Sequence, residues 1–209
     1  VSSTTATTTT EVALLDTDGV TPIIQSQLGT ALDAITPASS LSETEIAALQ
    51  WMREEEKLAG DVYTTLAEQW GSGVFTNIST AEFTHAEAIG TLLERYQIED
   101  PSTVKTVGVF TNPVMTQLYT DLVKQGSTSL LDAMIVGATV EDLDIKDLQD
   151  RATDTADIKL VFDNLERGSR NHLRAFERQI TRLGGSYTPS HISQSSYDEI
   201  INGQLETTF

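Results

Sequence analysis

Four long stretches of this sequence carry apolar residues alternately three and four apart, a period only an α-helix can use to bury one face. The first opens at Ser42, where Glu45 three residues on completes a capping-box signature, and runs to Trp70 before Gly71 and Gly73. A second is predicted from Ser79, again with a glutamate three residues on, to about Gln97, ahead of Asp100-Pro101. A shorter helix is predicted from Pro113, placed after Asn112 at a first helical position, to about Lys124, with Gly126 as terminator. The third long helix spans about Ser129 to Asp150, and the fourth about Thr155 to Leu183, before Gly184-Gly185. Four long helices joined through one short crossover helix imply an all-α bundle.

The flanks read differently. Residues 1–40 are rich in Thr and Ser and lack a sustained period, with apolar patches at Val12–Leu15 and Ile23-Ile24; they are expected to form an arm that docks on its own core or on a neighbouring subunit. The bundle is assigned to residues 41–185, and residues 186–209 to a segment of low periodicity that wraps its outside. A start at Val1 followed by a Ser/Thr tract fits either removal of a signal peptide or a chain trimmed for other reasons; on the first reading a secreted chain is expected, assembling as a homo-oligomer or polymer through the arm.

The core stripes contain residues that do not belong in an apolar seam. The first helix reads Leu49, Met52, Glu56, Ala59, Tyr63, Leu66, Trp70; the second reads Glu82, His85, Ile89, Leu92, Tyr96. The third reads Leu130, Met134, Gly137, Glu141, Asp144, Leu148, and the fourth Ile158, Val161, Leu165, Ser169, His172, Phe176, Ile180. Four acids and two histidines directed into one core would each cost several kcal/mol unless something positive compensates them. Cations do so. Each residue also has a purely structural reading. Glu82 is the third helical position of a box at Ser79, and Glu56 ends a Glu54-Glu55-Glu56 run of the kind that faces solvent, with Glu55 equally placed to point inward. Asp144 has Lys146 and Arg151 within reach, and a lone His172 fits a satisfied core histidine.

Composition narrows the chemistry. The chain has no cysteine, which removes thiolate ligands, iron–sulfur clusters and disulfides, so a metal must sit on oxygen and nitrogen. Iron, manganese and zinc suit that donor set. Thirty-one acidic against 13 basic side chains give a net charge of -18, which repels nucleic-acid phosphates and anionic membranes, and no apolar run approaches the roughly 20 residues that span a bilayer. Neither nucleic acid nor membrane insertion is expected.

Glu56-Lys-Leu-Ala-Gly-Asp-Val-Tyr63 resembles the first-helix ligand segment of rubrerythrins, Glu82-Phe-Thr-His85 their second-helix Glu-x-x-His, and Glu141-x-x-Asp144 their third-helix pair of acids. More closely, the stretch from about Leu41 to Leu183, with Arg53-Glu-Glu-Glu-Lys-Leu-Ala, Gly108-Val-Phe-Thr-Asn-Pro and Arg167-Gly-Ser-Arg-Asn-His-Leu-Arg-Ala-Phe176, is similar to an uncharacterised family of ferritin-like proteins, the DUF2202 domain. The resemblance implies a ferritin-like four-helix bundle holding two metal ions, iron first and manganese or zinc as alternatives. Glu56, Glu82, Glu141 and Asp144 would give oxygens, His85 and His172 nitrogens, and Tyr63 a supporting hydrogen bond. It departs at Ser169, where rubrerythrins carry a fourth-helix glutamate; either Asp144 takes up that coordination or one metal position is weak. A further tension is height. Glu56 lies 14 residues before Trp70 whereas His85 lies only 6 after Ser79, so the segment Gly71–Ile78 must double back as a loop for the two to meet.

The function this implies is reaction of a di-iron centre with peroxide or oxygen, as a peroxidase or ferroxidase. Two alternatives stand beside it: an extracellular structural subunit joined through the arm, and metal binding or storage without turnover.

Overall fold

Ser42 begins the longest helix as the sequence predicts. Its Oγ accepts from the Glu45 N–H at 3.2 Å while the Glu45 carboxylate accepts from the Ser42 N–H at 2.8 Å, and α2 (Glu43–Trp70) follows, ending at Gly71 in the left-handed region at φ 64°. The computed structural model describes residues 21–207, and within them the chain is all-helical. A short α1 (Gln25–Asp33) precedes α2. After it come α3 (Gly73–Arg95), α4 (Pro113–Gly126), α5 (Leu130–Asp150), α6 (Ala156–Arg182) and α7 (Gln194–Asn202). The two longest pairs pack as α2 on α3 and α5 on α6; α3 also packs on α6 and α2 on α5, so each of these helices has two of the others as neighbours. The short α4 crosses between them, against α2 and α5. Among the described residues no helix is long and apolar enough to cross a membrane.

Three expectations are corrected. The second long helix starts at Gly73, not Ser79, so Gly71–Ile78 is not a loop that doubles back: Gly71 and Ser72 alone turn the chain, and Val74, Phe75 and Ile78 lie on the buried stripe of α3. Ser79 caps nothing; its Oγ donates to the Thr76 carbonyl within the helix, a local bond a mid-helix serine commonly makes. The described part of the arm is not irregular throughout, since Leu28 and Leu32, four apart, bury one face of α1 and the segment lies on α3 of its own chain. The remainder of the arm, with Val12–Leu15, lies outside the described residues. Third, the C-terminal segment contains α7, capped by Ser193 Oγ on the Ser196 N–H and packed on α6 through Tyr197 and Ile200.

That C-terminal segment is tied down by a buried carboxylate on α5. Asp142 accepts from the Tyr187 hydroxyl at 2.8 Å and from the backbone N–H groups of Ser190, His191 and Ile192 at 2.6, 3.0 and 2.8 Å. Asp142→Ala leaves these donors without an acceptor and is expected to cost about 2–3 kcal/mol, measured as a lower urea midpoint. A loss within the error of the measurement would mean that the segment is held elsewhere.

Candidate metal centre

Two apolar clusters fill the bundle, and a polar layer separates them at one height on all four long helices. Along α2 the order is Leu49 and Met52 of one cluster, then Glu56, then Leu58, Val62 and Leu66 of the other. Along α3, running the opposite way, it is Phe75 and Ile78, then Glu82 and His85, then Ile89 and Leu92. On α5 the layer holds Glu141 and Asp144 above Leu148, and on α6 Ser169 and His172 stand between Leu165 and Leu173. The corrected start of α3 removes the mismatch of height: Glu56 lies 14 residues before Trp70 and His85 lies 12 after Gly73.

Glu82 is the centre of the layer. One oxygen lies 2.8 Å from His85 Nδ1 and the other 2.7 Å from His172 Nδ1. Glu56 approaches His85 Nδ1 at 3.5 Å, and Glu141 approaches His172 Nδ1 at 3.4 Å. The imidazoles lie nearly parallel, 5.6 Å between centroids. Two groups result, Glu56–Glu82–His85 and Glu82–Glu141–His172, each offering ligand atoms within 4.8 Å of one another, all buried, and sharing Glu82. Beyond these ion-pair contacts, both Nδ1 atoms, Glu82 Oε1 and Glu56 Oε1 have no geometrically formed hydrogen bond among the described residues. The donor atoms of each group are close enough to one another to share a cation, as ligands do.

Asp144 belongs to the layer but to neither group. Ser169 donates to its Oδ2, Oδ1 has no hydrogen-bond partner among the described residues, and its neighbours in charge are Glu56, Glu55 and Glu141. Lys146 and Arg151 are not its partners; they pair with Asp150 and Asp147. Tyr63 combines two roles, packing between Phe75 and Phe176 while its hydroxyl donates to Glu141 Oε1 at 2.5 Å.

Metal-free, the layer balances itself with protons. Burial pushes the carboxyls of Glu56, Glu141 and Asp144 up, outweighing the help that neighbouring histidines give the first two. Burial also disfavours charge on Glu82, yet His172 and His85 together outweigh it and hold that carboxyl well below the ordinary range. Desolvation works against both imidazoliums, but Glu82 with Glu141 raises His172 to about 9, and Glu82 with Glu56 raises His85 as well.

Sequence reasoning placed the Glu54-Glu55-Glu56 run on a solvated face as one option; the structure buries all three, at 2–3% exposure. Glu54 accepts the backbone N–H groups of Thr111 and Asn112 before α4, and Glu55 accepts from Trp51 Nε1, which it shares with Asp147. One contributor showed in the sequence only as a small residue one turn before His172, and another carried no signal. Gly168 gives His85 its space, since a Cβ there would stand 2.6 Å from the ring. Thr21, remote in sequence, faces both histidines from behind: its carbonyl lies 3.0 Å from His85 Nε2, and its Oγ1 lies 2.5 Å from His172 Nε2.

Fold and site together define an all-helical protein with a fully buried carboxylate–histidine layer suited to cations. The chain belongs to the family described as "Uncharacterized protein domain (DUF2202)", which matches residues 45–204 and so takes in every site residue on the long helices, and α7. It is 49% identical over 172 residues to "Uncharacterized protein MJ0754" of Methanocaldococcus jannaschii, a match spanning 81% of this chain and 93% of that protein. The crystal structure of hypothetical protein MJ0754 from Methanococcus jannaschii shares the fold, with a TM-score of 0.80 at 49% identity over 82% of this chain and 99% of that one.

Proposed function

We propose that this chain is a ferritin-like, rubrerythrin-like protein whose polar layer holds two metal ions, iron by preference, for reaction with peroxide or oxygen. One observation carries the reading: a single buried carboxylate, Glu82, faces two histidines with its two oxygens, and each histidine has its own further glutamate. Isolated buried charge is costly, and here the two imidazoles and three glutamates meet only as close charge pairs, with Glu56 Oε1 left without a hydrogen-bond partner among the described residues. The donor set of carboxylates and imidazoles without sulfur fits iron or manganese, with zinc as a further occupant. Glu56 and His85 would hold one ion, Glu141 and His172 the other, and Glu82 would touch both. Bound there, iron would supply the electron exchange that reduction of peroxide or oxygen requires.

The remaining side chains serve that site. Tyr63 orients Glu141 through its hydroxyl, Ser169 orients Asp144, and the apolar clusters above and below exclude bulk water. Asp144 stands next to Glu56 with one oxygen unpartnered among the described residues, placed to assist without being required for either group. Addition of hydrogen peroxide to the anaerobic, ferrous-loaded protein tests the reading. Oxidation of about two irons per chain faster than the free ion is expected, and oxidation at the free-ion rate would leave a storage or purely structural layer.

Two further results are expected. Gly168→Ala drives a methyl against the His85 ring and should weaken Zn2+ binding by roughly tenfold, measured by competition with a chromophoric chelator; unchanged affinity would mean that His85 is not a ligand. Metal affinity should also rise with pH between 6 and 9. In the metal-free protein His172, held up to about 9, and His85 keep protons that ligation must expel, so lowering the pH through this range favours the protonated, empty site. Affinity independent of pH in that window would contradict protonated ligands.

A further inference from the structure

The two imidazoles are gripped on their outer side by one residue that precedes the helices altogether and lies outside the segment matched to the family. A carbonyl oxygen can only accept, so the contact from Thr21 O to His85 Nε2 requires the proton of that ring at Nε2. The neutral ring then presents its lone pair at Nδ1, the atom that faces Glu82 and Glu56. Thr21 Oγ1 can accept from His172 Nε2 in the same way, leaving Nδ1 toward Glu82 and Glu141.

Thr21 is itself held in place. Pro22 restricts it to extended backbone, and the next residues are registered on the turn of α3 that carries His85: the Ile23 N–H donates to Thr84 Oγ1 at 2.9 Å, and Gln25 Nε2 donates to the Thr84 carbonyl at 3.0 Å. Ile23, Leu28 and Leu32 are buried against the cluster containing Leu49, Ile89 and Leu92, and Arg95 donates to the carbonyls of Leu32 and Ile35. Residues 21–33 therefore form a strap whose first residue reaches into the layer.

We propose that Thr21 is a positioning residue of the metal centre, setting both imidazoles with Nδ1 toward the carboxylates, so that docking of the strap and retention of metal are coupled. This rests on the metal reading above. Coupling is reciprocal: if the docked strap retains metal, bound metal must equally hold the strap down.

The test uses the full chain and Zn2+ as the probe. Thr21→Val removes the hydroxyl and is expected to speed loss of Zn2+ to excess chelator by on the order of tenfold, while Thr21→Ser restores the wild-type rate. Side-chain 15N spectra of the metal-free protein should show the His172 Nε2 signal moving in Thr21→Val and returning in Thr21→Ser, which a merely structural role would not produce. Hydrogen exchange of the Ile23 amide should slow when Zn2+ binds. Thr84→Val, which leaves Thr21 intact but removes the acceptor of that amide, serves as the second variant and should also release Zn2+ faster. Wild-type release rates in both valine variants, or unchanged histidine 15N signals in Thr21→Val, would overturn the proposal. If the wild type binds no Zn2+, the metal reading fails separately, and the metal-free 15N spectra still decide whether Thr21 sets the rings.

Discussion

Glu82→Ala is expected to empty both metal positions at once, whereas Glu56→Ala and Glu141→Ala each weaken one. The asymmetry follows from geometry: Glu82 is the only residue common to the two groups, with one oxygen near each histidine Nδ1. Its removal also strips both buried imidazoles of the carboxylate that does most to favour their charge, so the metal-free variant should hold neutral histidines at neutral pH. Loss of an outer-shell partner costs about 10- to 100-fold in affinity, and loss of a shared ligand should exceed the upper end of that range. Calorimetric titration with Mn2+ or Zn2+ reads it directly. Two ions in the wild type, none in Glu82→Ala and one tight ion in each single-group variant is the expected series; a variant lacking Glu82 that still binds two ions would remove the basis for a shared centre.

Stability should fall with pH in the metal-free protein but not in the loaded one. In the metal-free protein the histidines gain protons on folding: His172, held up to about 9, contributes stability that is fully present below the unfolded value near 6.5 and is lost as pH rises through about 9. Glu56, Glu141 and Asp144 act in the same direction, because burial holds their carboxyls protonated in the fold while the unfolded chain ionises them above about 4. The metal-free protein should therefore weaken steadily from about pH 5 to 9. Metal replaces those protons, so the loaded protein should not follow. With free ion at a thousand times its dissociation constant, a single site adds about 4 kcal/mol, and for a chain of this size that corresponds to roughly 8–16 °C in melting temperature. Thermal melts with and without chelator at pH 5, 7 and 9 test this: the gap should widen with pH, and a constant or vanishing gap would contradict a proton-for-metal exchange.

The periodicity of α2, α5 and α6 was legible because each has a local boundary signal, the Ser42 box, the Ser129 cap and the Gly184-Gly185 stop, and the polar residues of the layer stood out as breaks in apolar stripes. Glu56, Glu82, His85, Glu141 and His172 could be picked out on that basis, and the structure brings these five together. The start of α3 was not legible, since Ser79 with Glu82 mimics a capping box whereas the real N-cap, Ser72, makes no side-chain cap bond. Burial of Glu54 could not be foreseen either, because its partners are backbone N–H groups 57 and 58 residues away, whereas Glu55 was open to an inward placement and meets the indole of Trp51 four residues before it. Thr21 was hidden for the same reason: it meets His172 across 151 positions, and a Thr-Pro pair announces only an extended backbone.

Anomalous diffraction from crystals of the iron-loaded protein, collected at the iron edge, addresses the centre itself. Two peaks are expected within the layer, one beside Glu56 and His85, the other beside Glu141 and His172, with the Glu82 carboxylate between them. No peak in the layer, with the five side chains still converged and hydrogen-bonded to one another or to water, would contradict a metal centre and leave a buried structural network in its place.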